Sequence, residues 1–188
     1  MRLQLFVGSI FACGGLLLAD GAVVHAKAIL AQQLLNLAWL QTGAFGAPQP
    51  PWPWADTWPV ARLRIARLGV EQIVLAGTDG AALAFGPGHL FRSALPGGGA
   101  NTVIAGHRDT HFKYLRELRR GDEITVERIA GEVVTYAVSG IHIVHEDDTS
   151  VLAAGAADKL TLITCYPFDA LESGGLFRYV IVAMPLPS

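Results

Sequence analysis

Cysteine is scarce in this chain, which has Cys13 and Cys165 and no others among its 188 residues. Cys13 lies in an apolar N-terminal segment, so we do not expect it to reach Cys165 and form a disulfide. An unpaired thiol is a liability outside the cytoplasm. Cys165, which follows an apolar strand pattern, is therefore either an inert core residue or a nucleophile.

Charged residues are also few: they make up 16% of the chain, with a formal net charge of -2. This near-neutral balance gives no reason to expect nucleic acid as a partner. Apolar residues reach 52%, and their excess lies at the N-terminus, where residues 3–19 carry no charge. A run of this length is at the short end of a membrane span, and residues 21–24 can extend it.

The uncharged run is predicted to be a membrane anchor. Arg2 precedes it and Lys27 is the first positive charge after it, which favours a cytoplasmic N-terminus. Apolar residues then continue at helical spacing: Val23, Ala26, Leu30, Leu34 and Leu37. We therefore predict an N-terminal transmembrane signal anchor with a helical extension over residues 1–45, rather than a cleaved signal peptide. The rest of the chain would then lie outside the cytoplasm.

A segment rich in proline and tryptophan follows the predicted helix. Residues 47–59 contain five prolines and three of the four tryptophans. Proline at this density cannot continue a helix and stiffens the chain. We predict a linker over residues 46–59, whose tryptophans lie either at the membrane interface or against the outside of the following domain.

Residues 60–188 have the pattern of a mainly β domain. Seven strand-like segments are separated by turn residues, and one short amphipathic helix is predicted at 112–118. This pattern favours an antiparallel barrel or sandwich over alternating strands and helices. The predicted strands are 60–65, 70–75, 102–105, 123–128, 133–144, 159–164 and 177–183.

Three residues near predicted strand ends have side chains suited to covalent catalysis. Cys165 follows the strand at 159–164, and His107 follows an apolar strand that ends in Gly106. An imidazole can activate a thiol and later protonate a leaving amine. Arg178, a charged residue in an apolar strand, either points to solvent or stabilises the oxyanion of a tetrahedral intermediate.

Several segments, in this order, resemble the sortase family of membrane-anchored cysteine transpeptidases. The resemblance covers about residues 52–184. It rests on Gly86–His89, on Thr102–Thr110 with its Gly-His pair, on Gly121-Asp122, on Val144–Leu152, on the Thr-Leu-x-Thr-Cys sequence of 161–165, and on Arg178.

The resemblance implies an eight-stranded sortase-type β-barrel with short helices and a Cys-His-Arg catalytic set. Cys165 would be the nucleophile, His107 the general acid and base, and Arg178 the oxyanion or substrate clamp. Thr164 would help line the site, and His89 is a second candidate substrate-binding residue, although a turn role suits it better. The chemistry requires no cofactor, and no metal site is predicted.

The resemblance also implies the partners and the location of the protein. Family members cleave a sorting signal similar to Leu-Pro-x-Thr-Gly near the C-terminus of a secreted protein, hold it as a thioester and transfer it to an amine. The compact domain and single anchor are similar to proteobacterial sortases. We therefore expect a single-pass protein of the bacterial inner membrane with its catalytic domain on the extracytoplasmic side.

Four other interpretations stay open. The same catalytic pair would make a plain cysteine endopeptidase if water were the acceptor, and a buried Cys165 would leave a non-catalytic, membrane-tethered β-domain. A zinc site built from His107, His111 and Cys165 is disfavoured because Gly106 ends a strand rather than a helix. The acidic loop at residues 146–148 resembles the calcium-binding loops of some sortases, but such clusters are more often simply solvated.

Overall fold

The computed structural model describes the backbone of residues 2–155, 157–170, 172 and 174–187, and within these ranges the side chains of residues 21, 23 and 25 onward. Within these ranges the fold contains, beside short 3-10 helices, two α-helices and eight strands. They are α1 Arg2–Phe45, β1 Pro59–Ile65, β2 Val70–Ala76, α2 Gly80–Leu83, β3 Gly88–His89, β4 Asn101–Ala105, β5 Glu123–Arg128, β6 Val133–His145, β7 Lys159–Tyr166 and β8 Phe177–Pro185.

The strands close into one barrel in the order β1-β2-β3-β4-β7-β8-β6-β5. This confirms the expected eight-stranded barrel. The barrel is mostly antiparallel, as expected, but β2 pairs with β3 and β4 pairs with β7 in parallel, which the sequence pattern did not predict. Strand β3 has only two residues, too few for a repeating pattern, and the helix predicted at 112–118 is a short 3-10 helix, Lys113–Glu117.

Alternation along the strands separates the barrel interior from its surface. In β1, Ala61, Leu63 and Ile65 are buried, while Arg62 and Arg64 lie outside and form ion pairs with carboxylates of β2 and β5. Successive strand residues point to opposite faces, so one apolar set fills the interior. The interior residues of β4, β7 and β8 join the same core, and this fixes the backbone beneath the strand ends that carry the candidate residues.

Helix α1 packs on the outside of the barrel through Leu35 and Trp39, which contact a cluster around Ile73, Leu75 and Ala82. Of the apolar residues at helical spacing in the sequence, Val23, Leu30 and Leu37 are about half exposed. The buried face of the helix lies beside these residues. It carries a large tryptophan and small alanines, and the alanines allow the helix to approach the barrel closely.

The linker tryptophans divide between the barrel and solvent. Trp52 packs edge-on against Phe85 with 4.7 Å between ring centroids, and Trp58 lies 6.2 Å from Phe91. Trp54 is exposed. Two of the three tryptophans therefore pack against the outer surface of the domain, one of the two positions predicted for them.

The predicted anchor, residues 3–19 with Cys13, lies outside the residues whose side chains are described. Among the residues that are described, no helix is long and apolar enough to cross a membrane.

Candidate active site

The parallel pairing of β4 with β7 brings His107 and Cys165 to the same edge of the barrel. The last paired residues are Ala105 and Ile163, and the Gly106 N–H donates to the Ile163 carbonyl at 3.1 Å. His107 and Cys165 each lie two residues beyond that pair. Parallel strands end at one edge, so the thiol and the imidazole occupy corresponding positions. His107 is exposed and Cys165 is half-buried, which leaves both accessible to a substrate.

Thr164 joins these two strand ends. Its hydroxyl donates a 2.7 Å hydrogen bond to the Gly106 carbonyl, and the residue is buried. The bond fixes the residue before Cys165 to the residue before His107. Its role as a direct substrate contact stays a prediction.

Gly106 allows an aromatic ring to support the segment that carries His107. A Cβ atom at this position would lie 2.8 to 3.2 Å from three ring atoms of Phe112. Phe112 is fully buried, and its N–H donates to the His107 carbonyl at 2.9 Å. The ring can therefore pack directly beneath the backbone only because residue 106 has no side chain.

Gly106→Ala should displace this segment, because its Cβ would lie closer than contact distance to the fully buried Phe112 ring, so that either the ring or the backbone must shift. We expect a loss of about 1–3 kcal/mol in the free energy of unfolding and a lower rate of any reaction that needs His107. Thermal denaturation and activity on the same samples check this. Gly80→Ala is the matched control, because the added Cβ meets open space there. Gly99→Ala is unsuitable, because Gly99 has a positive φ.

Arg178 lies directly opposite Cys165 in the β7–β8 pair. Leu162 and Ile181 are paired in the same register and buried in the barrel. Side chains alternate between the two faces of a strand. Cys165 and Arg178 therefore both lie on the outer face of the barrel, opposite to the face of the core pair. The strand register therefore brings the third candidate residue beside the thiol.

The guanidinium of Arg178 is held by three acceptors. One Nη donates to the carbonyls of Gly175 at 2.6 Å and Phe177 at 3.0 Å, and the other donates to Glu146 Oε2 at 2.8 Å. Glu146 follows β6, which pairs with β8 and brings Val144 opposite Arg178. Glu146 could not be assigned to the site from the sequence, because the strand that pairs with β6 is known only from the topology.

His89 is buried and makes local contacts. Its Nε2 lies 2.9 Å from the Ala94 carbonyl and 3.1 Å from the Ser93 hydroxyl, which also accepts from the Val103 N–H at 3.0 Å. These contacts tie the segment after β3 to β4, in keeping with the turn role. The substrate-binding role of His89 stays a prediction.

His111 lies near the candidate base. Burial lowers the pKa of its imidazole, and the charge of nearby His107 lowers it further. Within the part of the chain that the structure describes, no three His, Cys, Asp or Glu side chains are arranged to hold a metal ion.

Comparisons with known proteins identify relatives of the domain. A family model described as the Sortase domain matches residues 63–186. Sortase D of Bacillus subtilis is 36% identical over 120 residues, which are 63% of this chain and 60% of that protein. The chain thus spans less than two thirds of the length of this relative.

Solved structures with the same fold include sortase A from Corynebacterium diphtheriae, 34% identical with a TM-score of 0.64, covering 72% of this chain and 64% of that one. A Sortase D5 transpeptidase from Clostridium perfringens has a TM-score of 0.68 at 22% identity, covers 84% of this chain and 99% of its own, and supports the fold alone. These relatives are Gram-positive sortases and give no support to the predicted proteobacterial similarity.

Proposed function

The chain belongs to the sortase family, and from that premise we propose that it is a cysteine transpeptidase. It cleaves a sorting motif similar to Leu-Pro-x-Thr-Gly near the C-terminus of a secreted protein and transfers the new C-terminus to an amine. The observation that carries the proposal is the parallel β4–β7 pairing, which puts His107 and Cys165 at corresponding strand ends, with Arg178 opposite Cys165.

The chemistry follows from these positions. His107 takes the proton of the Cys165 thiol, the sulfur attacks the scissile carbonyl carbon, and the guanidinium of Arg178 stabilises the oxyanion that forms. When the carbon–nitrogen bond breaks, His107 protonates the departing amine and a thioester remains on Cys165. An incoming amine then attacks the thioester and gives a proton to His107, and the Cys165 sulfur is released.

The proposed location is the outer side of the bacterial inner membrane. The uncharged run at residues 3–19 supports an N-terminal anchor, and helix α1 continues from it to the barrel. This location gives access to secreted proteins that carry a sorting signal and to amine acceptors at the cell surface.

The test is incubation of the full chain in detergent micelles with a Leu-Pro-x-Thr-Gly peptide, with and without an added amine such as triglycine. We expect a mass adduct on Cys165 that is converted to an amine-ligated product, because the thioester is an obligatory intermediate. Intact-mass measurement detects both species. An adduct that only hydrolyses, across a panel of amines, would replace this proposal with the endopeptidase. A Cys165 that reacts with neither peptide nor thiol reagents would return the protein to the non-catalytic interpretation.

A further inference from the structure

Arg108, the residue after His107, is buried although its neighbours are not. It is 3% exposed, whereas His107, Asp109 and Thr110 are exposed. A buried guanidinium costs free energy unless its donors are paired. The guanidinium of Arg108, buried in an otherwise exposed turn beside the candidate base, therefore requires hydrogen-bond partners within the protein.

The partners of Arg108 are backbone carbonyls of a single loop, the one that joins β7 to β8. Its terminal nitrogens donate to the carbonyls of Gly174 at 3.2 Å, Ala170 at 3.2 Å and Glu172. Nε lies 3.4 Å from the Asp109 carboxylate. The guanidinium of an arginine is planar and carries several N–H donors, so it can bind carbonyls that lie in different directions.

The same loop is bound by Arg178 at the next residue. The Gly174 carbonyl accepts from Arg108, and the Gly175 carbonyl accepts from Arg178. Both glycines have positive φ, 83° and 109°, a conformation that other residues rarely adopt. Two successive carbonyls can thereby point to two different arginines, so the loop connects the His107 segment to Arg178.

We propose that Arg108 is a positioning residue for acyl transfer: it holds the β7–β8 loop in the conformation that sets Cys165 and Arg178 relative to His107. The inference rests on the proposed function of the same site. The loop begins two residues after Cys165 and ends two residues before Arg178, while Arg108 follows the base directly. One buried side chain therefore joins the segment of the base to the loop that connects the other two candidate residues.

Arg108→Gln removes the charge and the fork, and Arg108→Lys keeps the charge with a single donor centre. We expect kcat/KM to fall roughly 10- to 100-fold in the glutamine variant, since a misplacement of about 1 Å can cost on the order of 10²-fold, and less in the lysine variant. Arg116→Gln is the charge-matched control and should keep wild-type kcat/KM. Arg116 is exposed and, like Arg108, lies between β4 and β5.

A readout independent of peptide substrate separates positioning from mere stabilisation. The rate of Cys165 alkylation by iodoacetamide is measured against pH on the full chain in detergent, well below the melting temperature, with peptide mapping to distinguish Cys165 from Cys13. In Arg108→Gln we expect the alkylation profile to differ from that of the wild-type chain, because the thiol and the imidazole no longer lie in their wild-type arrangement. Arg116→Gln should keep the wild-type profile.

A glutamine variant with a lower melting temperature but unchanged alkylation profile and kcat/KM would overturn the proposal, because Arg108 would then be only structural. If that variant does not fold, Arg108→Lys is judged by the same two measurements. If the wild-type chain transfers no peptide, the proposed function fails, and the alkylation profile alone then decides whether Arg108 positions Cys165.

Discussion

Cys165→Ala should abolish acyl transfer and leave the barrel folded. The nucleophile forms the covalent intermediate, and removing such a group from an enzyme costs roughly 10⁴-fold or more in kcat. Cys165 is only half-buried and lies at the outer end of β7, so losing its sulfur leaves no large cavity. We expect a change of about 1 kcal/mol or less in the free energy of unfolding. Peptide transfer and thermal denaturation of the same preparation measure the two effects.

The other cysteine supplies the matched control. Cys13→Ala removes the same sulfur from the predicted anchor, outside the proposed catalytic set, and should keep full transfer activity. Two results would contradict the assignment of Cys165: extensive unfolding of Cys165→Ala would show a structural thiol, and residual transfer near the wild-type rate would show that another group forms the acyl-enzyme.

Seven of the eight strands could be predicted from the sequence to within one or two residues at most ends. Strands such as β1 alternate apolar and charged residues, and that alternation follows directly from one buried and one solvated face. Strand β3 could not be predicted, because two residues of glycine and histidine have no period. Its pairing depends on the neighbouring strands that complete the barrel.

The candidate residues could be selected from the sequence, but their arrangement could not. Strand patterns placed His107 and Cys165 each after a strand, yet only the parallel β4–β7 register shows that these are adjacent ends of the same sheet. Parallel pairing depends on long-range crossover connections, which local periodicity does not encode.

The supporting residues were missed for a related reason. Arg108 has the appearance of an ordinary surface arginine in an exposed turn, and Glu146 that of one acid in a solvated cluster. The β7–β8 loop carbonyls that Arg108 contacts, and the Arg178 guanidinium that Glu146 contacts, lie more than 30 positions away along the chain. Which face of α1 is buried could not be predicted, because it depends on which helix positions fit the barrel surface, and the sequence of the helix alone does not contain that surface.

Arg178→Lys should reduce kcat/KM by roughly 10²- to 10³-fold, the range for removing one oxyanion-stabilising donor, although the positive charge is kept. Three of the five N–H donors of Arg178 are used by Gly175, Phe177 and Glu146 among the residues that the structure describes. Two are then left for a substrate oxyanion. A lysine has three donors in all, so it can keep these contacts or donate to the oxyanion, but not both. Steady-state kinetics of peptide transfer measure the effect.

Arg64→Lys is the control for this substitution, because Arg64 is also a strand arginine paired with carboxylates, Glu71 and Glu127, but it lies on β1, which pairs with β2 and β5 rather than with β7 or β8. Exposed ion pairs contribute little, so this variant should transfer peptide at the wild-type rate. Wild-type kinetics for Arg178→Lys would show that a point charge is sufficient and that the fork has no role at the oxyanion. A defect confined to KM would instead place Arg178 in ground-state substrate binding, since an oxyanion contact exists only in the transition state and its loss must lower kcat.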